Sequence, residues 1–219
     1  MRDESLFREV DEEIRQDQFK KLWDRYGSAV IGLCLVVVLG VAGMKGWQYW
    51  QVKQSQAAAE SFFAATRLAD ENKVDDALKQ LRSVNHPGFG LFARLQEAGL
   101  LAAQGKAEEA VKIYDSVAAD TGADSTLRDL ARIRAAYVLA ETLKPGDLAA
   151  RVATFDKPGN PWRHAAREIM ALAAWRVADY GLADKTMSAI LADPETPPAL
   201  RARAQTISEL IVPLLAARK

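Results

Sequence analysis

Cysteine is almost absent from this 219-residue chain: the single one is Cys34, in the middle of an apolar run. From residue 51 onward there is none, so a disulfide and a cysteine-based metal site are excluded there. Histidine is nearly as scarce, with only His86 and His164. They stand in separate stretches, and no His-x-x-x-His or Glu-x-x-His spacing supplies a metal site with ligands. Neither a Gly-x-Ser-x-Gly elbow nor a phosphate loop occurs. Charge of one sign is lacking too. The chain carries 29 Lys and Arg against 29 Asp and Glu, and the part after residue 50 is close to neutral, so no face is basic enough to hold nucleic acid. Strand signals are sparse, with few Val/Ile/Thr alternations and no Asn-Gly turn. These gaps leave an alanine-rich all-α chain without an evident catalytic constellation, metal site or cofactor.

What is present begins with eighteen uncharged residues, Gly27 to Met44. At a rise of about 1.5 Å per residue they cover roughly 27 Å, close to the ~30 Å hydrocarbon core of a bilayer. Trp23 and Tyr26 lie before the run and Trp47, Tyr49 and Trp50 after it, where amphipathic rings favour the headgroup level. Lys45 is near enough to an end to snorkel. Arg8, Arg15, Lys20, Lys21 and Arg25 precede the run, whereas Lys45 and Lys53 follow it. That bias predicts a cytoplasmic N-terminus and a C-terminal part across the membrane. The tail before the run holds eight acids and the exit is Trp47 to Trp50, not small-x-small, so an uncleaved signal anchor is expected. Cys34 reads as an apolar thiol within it. Ser28/Gly32 and Ala42/Gly46 are small-xxx-small pairs of the kind that pack membrane helices.

The tail, residues 1–26, is expected to be helical. Phe7, Val10 and Ile14 share one face and Phe19, Leu22, Trp23 and Tyr26 another, which suits either a docking helix or an interfacial one. Gln51 to Glu60 contains no glycine or proline and is expected to continue the membrane helix.

Residues 51–219 read as stacked helix pairs. Phe92 to Val117 forms helix, turn, helix: Gly105 ends the first helix, and Ala110, Tyr114 and Val117 share an apolar face of the second. The same template falls on Ala65, Leu68, Asn72, Ala77, Leu81 and Val84. A looser third unit uses Tyr137, Ala140, Ala149 and Val152, and a fourth uses Ala171, Ala174, Ala183, Met187 and Ile190. Longer breaks are expected at Ala119 to Ser125, at Asp156 to Pro161 and at Asp193 to Pro198, with Leu200 to Leu210 as a capping helix. Asp75-Asp76 and Glu108-Glu109 read as helix-start charges. In such a tetratricopeptide-like α-solenoid the first helices line a groove. Phe62, Phe92, Leu95, Arg134, Glu141, Glu168, Trp175 and Arg176 would face it, with Phe92 and Leu95 also readable as core. Trp175 and Arg176 are the two that packing alone explains least.

The acidic tail ending Lys20-Lys-Leu-Trp-Asp-Arg-Tyr-Gly27, the single anchor, the Trp47-Gln-Tyr-Trp50 exit and the repeat with Gly105-Lys-Ala-Glu-Glu-Ala110 resemble the ancillary SecYEG translocon subunit family (YfgM-like) over nearly the whole chain. The resemblance implies an inner-membrane protein with periplasmic repeats, associated with the translocon and with a membrane-anchored periplasmic chaperone. No functional residues carry over with it. The expected function is a non-enzymatic scaffold that helps translocated polypeptides reach periplasmic chaperones. The alternative is an adaptor for cell-envelope assembly or division.

Overall fold

The computed structural model describes the backbone of residues 3–216 and the side chains of residue 20 and of residues 23–216. Every element among the described residues is a helix: α1 (Asp3–Asp70), α2 (Val74–Ser83), α3 (Phe89–Ala103), α4 (Ala107–Ala118), α5 (Ser125–Leu139), α6 (Pro145–Val152), α7 (Arg163–Arg176), α8 (Tyr180–Ala192) and α9 (Pro198–Ala216). Two compact units divide the chain, Met1–Gln56 and Ala57–Lys219. The two apolar faces expected of the tail rest on Phe7, Val10, Ile14, Phe19 and Leu22, whose side chains lie outside the described residues.

In the first unit the apolar run is turned outward. Leu33, Val36, Val38 and Leu39 are all more than half exposed, the reverse of what a helix in a soluble core shows. The stretch has the length and composition of a membrane span. A cation sits over an aromatic ring at either end: the Arg25 guanidinium is 5.7 Å from the Tyr26 ring and Lys53 Nζ 6.0 Å from the Tyr49 ring. Trp47 and Trp50 pack at 5.2 Å between ring centres. From Tyr26 to Trp47 the helix rises roughly 30 Å, so the aromatic groups are spaced like the two faces of a bilayer.

The second unit is a run of helix pairs, each packed on the next: the end of α1 with α2, α3 with α4, α5 with α6, and α7 with α8. The last helix, α9, lies against α8 and α7. Alanine makes this possible. Ala65, Ala77, Ala98, Ala110, Ala131, Ala136, Ala174 and Ala183 have essentially no exposed surface, because helices that cross closely leave room for a methyl group and little more. Larger residues fill the layers between pairs, with Leu101, Tyr114 and Val117 in one, Leu148, Val152 and Ile169 in another, and Met187, Ile190 and Ile211 in the last.

One turn recurs three times. Asn72, Gly105 and Ala178 all have a left-handed backbone, with φ of 60°, 76° and 60°. At each, the next residue's N–H reaches back to the carbonyl five positions earlier: Lys73 to Leu68 at 2.8 Å, Lys106 to Leu101 at 2.9 Å and Asp179 to Ala174 at 2.9 Å. This double-bonded helix stop satisfies carbonyls that would otherwise lack partners and reverses the chain into the next helix. The third pair departs from it. Its turn passes through Glu141 to Lys144, and Pro145 opens the short α6.

The expected breaks are in place. The final helix extends beyond Leu210 to Ala216, because Ile211 is fully buried and Leu215 packs beside it on the last core layer.

Candidate protein-binding cleft

The C-terminal ends of α5 and α7 meet the end of α3 and the starts of α4 and α8 around a cleft of about 830 Å³. Small residues line it at Ala102, Gly105, Ala107 and Ala140, aliphatic ones at Val138 and Leu172, and aromatic ones at Tyr137, Trp175 and Tyr180, while Glu141 and Arg176 supply its charge. A volume of several hundred Å³ suits a few side chains of a partner.

Arg176 donates from Nε to the Ala140 carbonyl at 3.1 Å and from Nη2 to the Leu143 carbonyl at 2.5 Å, so its guanidinium closes the C-terminal end of α5. Trp175 is half-buried against the last core layer. Glu141 is exposed. Tyr137 donates its hydroxyl to Glu168 at 2.5 Å, and burial followed by that neighbouring carboxylate pushes the Tyr137 hydroxyl well up.

The cleft therefore gathers three of the eight residues expected at a groove: Glu141, Trp175 and Arg176. Phe62 is part-buried in the first core layer, 5.6 Å from Phe63 and 6.1 Å from Phe89 between ring centres. Leu95 packs on the second layer. Phe92 is 46% exposed on α3. Arg134 is exposed and bonds the buried Tyr114 hydroxyl. Burial pushes that hydroxyl up, and Arg134 partly offsets the shift. Glu168 corrects the expectation most clearly. It is 2% exposed, and Arg203 of α9 holds it through Nε at 2.8 Å and Nη2 at 2.9 Å. With Tyr137 also bonded to it, Glu168 has no open side for a ligand. Its position among first-helix residues put it on the template's groove face, and the packing of α9 covers that point.

The sequence reading also missed Tyr137 and Tyr180 as cleft walls. Both come to the cleft because the end of α5 and the start of α8 meet there, which no local pattern announces. A second polar cluster went unread. Asp193, just past α8, accepts from Arg163 through Nε at 3.0 Å and Nη2 at 2.9 Å, lies 3.0 Å from His164 Nε2, and accepts the Glu195 backbone N–H at 3.0 Å. The Glu195 N–H foremost, with the Arg163 guanidinium, holds the Asp193 carboxyl down at about 2. His86 has a role too: its Nδ1 accepts from the Gly88 and Phe89 N–H groups at 3.2 and 3.4 Å, closing the start of α3. Among the described residues no group of three His, Cys, Asp or Glu side chains is placed to hold a metal ion.

Helical hairpins that pack only on their neighbours, small residues at each crossing and a repeated left-handed turn define a tetratricopeptide-like repeat domain. A family model described as "Tetratricopeptide repeat-like domain" matches residues 20–159, and the chain belongs to that family. The match ends before α7, so Trp175, Arg176 and Tyr180 of the cleft lie outside it. The chain is also similar to two curated proteins named "Ancillary SecYEG translocon subunit". The one from Haemophilus influenzae is 28% identical over 95 residues, covering 41% of this chain and 45% of that protein. The one from Escherichia coli is 29% identical over 124 residues, covering 54% and 59%. The chain thus spans about half the length of these relatives. No solved structure matches it.

Proposed function

We propose that this chain is a non-enzymatic scaffold, anchored in a bacterial inner membrane by one span, that binds protein partners beside the Sec translocon and helps translocated polypeptides reach a periplasmic chaperone. The observation that carries the reading is the cleft between the second, third and fourth helix pairs, on a repeat domain that follows a span-length apolar helix. The name shared by its relatives supports the translocon as the setting. In this reading residues 1–26 are a cytoplasmic tail, 27–50 the anchor and 51–219 a periplasmic repeat domain, oriented by the excess of Lys and Arg before the span. Glu141, Trp175 and Arg176 are the central contacts, with Phe92 and Arg134 as outlying ones on the first helices. The partners are translocon subunits, a periplasmic chaperone and emerging chains.

A photo-crosslinking amino acid placed at Glu141 in intact membranes tests it. Adducts with translocon subunits, emerging chains or a periplasmic chaperone are expected. Adducts confined to septal or peptidoglycan-synthesis proteins would replace the reading with a cell-envelope adaptor. A reporter fused after Lys219 is expected to be active in the periplasm, and activity only in the cytoplasm would overturn the orientation.

A further inference from the structure

We infer that α9, which contributes no residue to the cleft, positions the cleft's aromatic lining. This geometry stands apart from the protein-binding reading; only its consequence for a bound partner rests on that reading.

Two routes lead from α9 to the cleft. The first is a chain of hydrogen bonds. Tyr137 lines the cleft and donates to Glu168 Oε2 at 2.5 Å. Arg203 of α9 donates to both carboxylate oxygens, from Nε to Oε1 at 2.8 Å and from Nη2 to that same Oε2 at 2.9 Å. Glu168 is 2% exposed, so Arg203 supplies what water cannot. Without Arg203 the carboxylate has to turn toward water or take up a proton, and the Tyr137 hydroxyl loses the fixed acceptor that sets its ring. The second route is packing. Trp175 and Tyr180, the other two aromatic lining residues, pack against the last core layer, to which α9 contributes Ala204 and Ile211. All three aromatic side chains at the cleft are thus backed by a helix outside it.

The hold on α9 is a limited one. It is the last described helix and packs against α7 and α8. Ser208 of α9 buries its hydroxyl with no hydrogen-bond partner among the described residues, which weakens the docking. Arg203 makes the one ion pair that reaches out from α9 among the described residues. A weakly docked end helix opens before the pairs behind it do, so the Arg203–Glu168 bond is the point at which the cleft registers whether α9 is in place.

The test uses the full-length protein in nanodiscs with 3-fluorotyrosine at its five tyrosines. Fluorine NMR separates the rings, Tyr137→Phe and Tyr180→Phe assign the two at the cleft, and relaxation by a water-soluble nitroxide reads the exposure of each. Arg203→Ala is expected to raise the exposure of the Tyr137 ring. Ile211→Ala, which hollows the last layer from the α9 side, is expected to raise that of Tyr180. Tyr114, 2% exposed in a layer to which α9 contributes nothing, is expected to be unmoved in both. Arg203→Lys keeps the charge but not the two-nitrogen grip, and is expected to fall between Arg203→Ala and the wild type. Circular dichroism checks the helices, and Ile211→Val takes the place of Ile211→Ala if that variant does not fold. A Tyr137 ring that ignores Arg203→Ala, a Tyr180 ring that ignores the Ile211 variant, or a Tyr114 ring that loosens as much as either would overturn the inference. No partner enters this measurement, so its failure is distinct from failure of the protein-binding reading, which the crosslinks at Glu141 decide. Where those crosslinks form, Arg203→Ala is expected to lower their yield.

Discussion

Arg203 of α9 grips the buried carboxylate of Glu168 on α7 with two nitrogens, at 2.8 and 2.9 Å. The arginine is half in water and the acid is not: their side chains are 55% and 3% exposed. The pair ties the last helix to the fourth repeat, and through Tyr137 to the third.

Cutting this tie leaves a buried negative charge without its cation. Arg203→Ala is expected to destabilise the chain by about 2 kcal/mol, less than for a fully buried pair because the arginine is partly solvated. That corresponds to a drop in Tm of roughly 4–8 °C. Glu168→Gln combined with Arg203→Ala should cost less than Arg203→Ala alone, since no unpaired charge remains. Thermal unfolding followed by circular dichroism measures both, and equal losses would show that the ion pair is not what Arg203 contributes.

The left-handed turns give a reciprocal pair of expectations. Ala178 holds φ of 60°, a conformation that costs an L-residue about 1–2 kcal/mol and glycine almost nothing. Part of the gain is offset by the greater freedom of glycine in the unfolded chain. Ala178→Gly is therefore expected to stabilise by about 0.5–1 kcal/mol. Gly105→Ala, at φ of 76° with open space around the position of an added Cβ, should destabilise by about 1 kcal/mol through backbone strain alone. Urea midpoints of the two variants should move in opposite directions.

Acid should loosen the α7–α8 end. The Asp193 carboxyl is held below its ordinary value, at about 2 against 3.8. A lowered carboxylate contributes stability that is fully present above the unfolded-state value and is lost as pH falls through the folded one. The stabilisation from Asp193 is therefore present at neutral pH and disappears between about pH 4 and pH 2. Asp193→Asn should be less stable than wild type at pH 7, and the gap between their Tm values should shrink over that window. A gap that stayed constant across it would remove Asp193 from the acid response.

The span can be tested by charge. Val37 lies near the middle of the apolar run and is more than half exposed. Val37→Arg should raise the cost of membrane insertion by about 2.5–3.5 kcal/mol. Carbonate extraction should then recover more of the variant in the soluble fraction.

The first two helix pairs were legible because their turn residues announce themselves. Gly105, and Asn72 33 positions before it, are residue types that tolerate a left-handed backbone, and the alanines at the crossings follow at fixed offsets. Ala178 makes the same turn with a residue that gives no such signal, since its own N–H bond to the Trp175 carbonyl and the Asp179 N–H bond to the Ala174 carbonyl hold it there. The fourth pair was therefore readable from its apolar spacing but not from its turn. Trp175, Arg176 and Glu141 were expected at a groove, and the structure brings them together at the cleft, although Arg176 also closes α5 and Trp175 also packs on the last core layer. Glu168 was misread because the residue that covers it, Arg203, is 35 positions away.

By itself the sequence determined the helical class, the uncharged run, the order of the pairs and the places where chains must turn. These depend on local quantities: side-chain volume at each crossing, apolar period and backbone preference at single residues. The tertiary structure alone decided which first-helix residues stay open and which are closed over. The cleft exists because the ends of α3, α5 and α7 and the starts of α4 and α8 converge, and Glu168 is buried where Arg203 of α9 lies across it. Both are relations between segments distant in the chain, set by how layers pack and not by any residue's own preference.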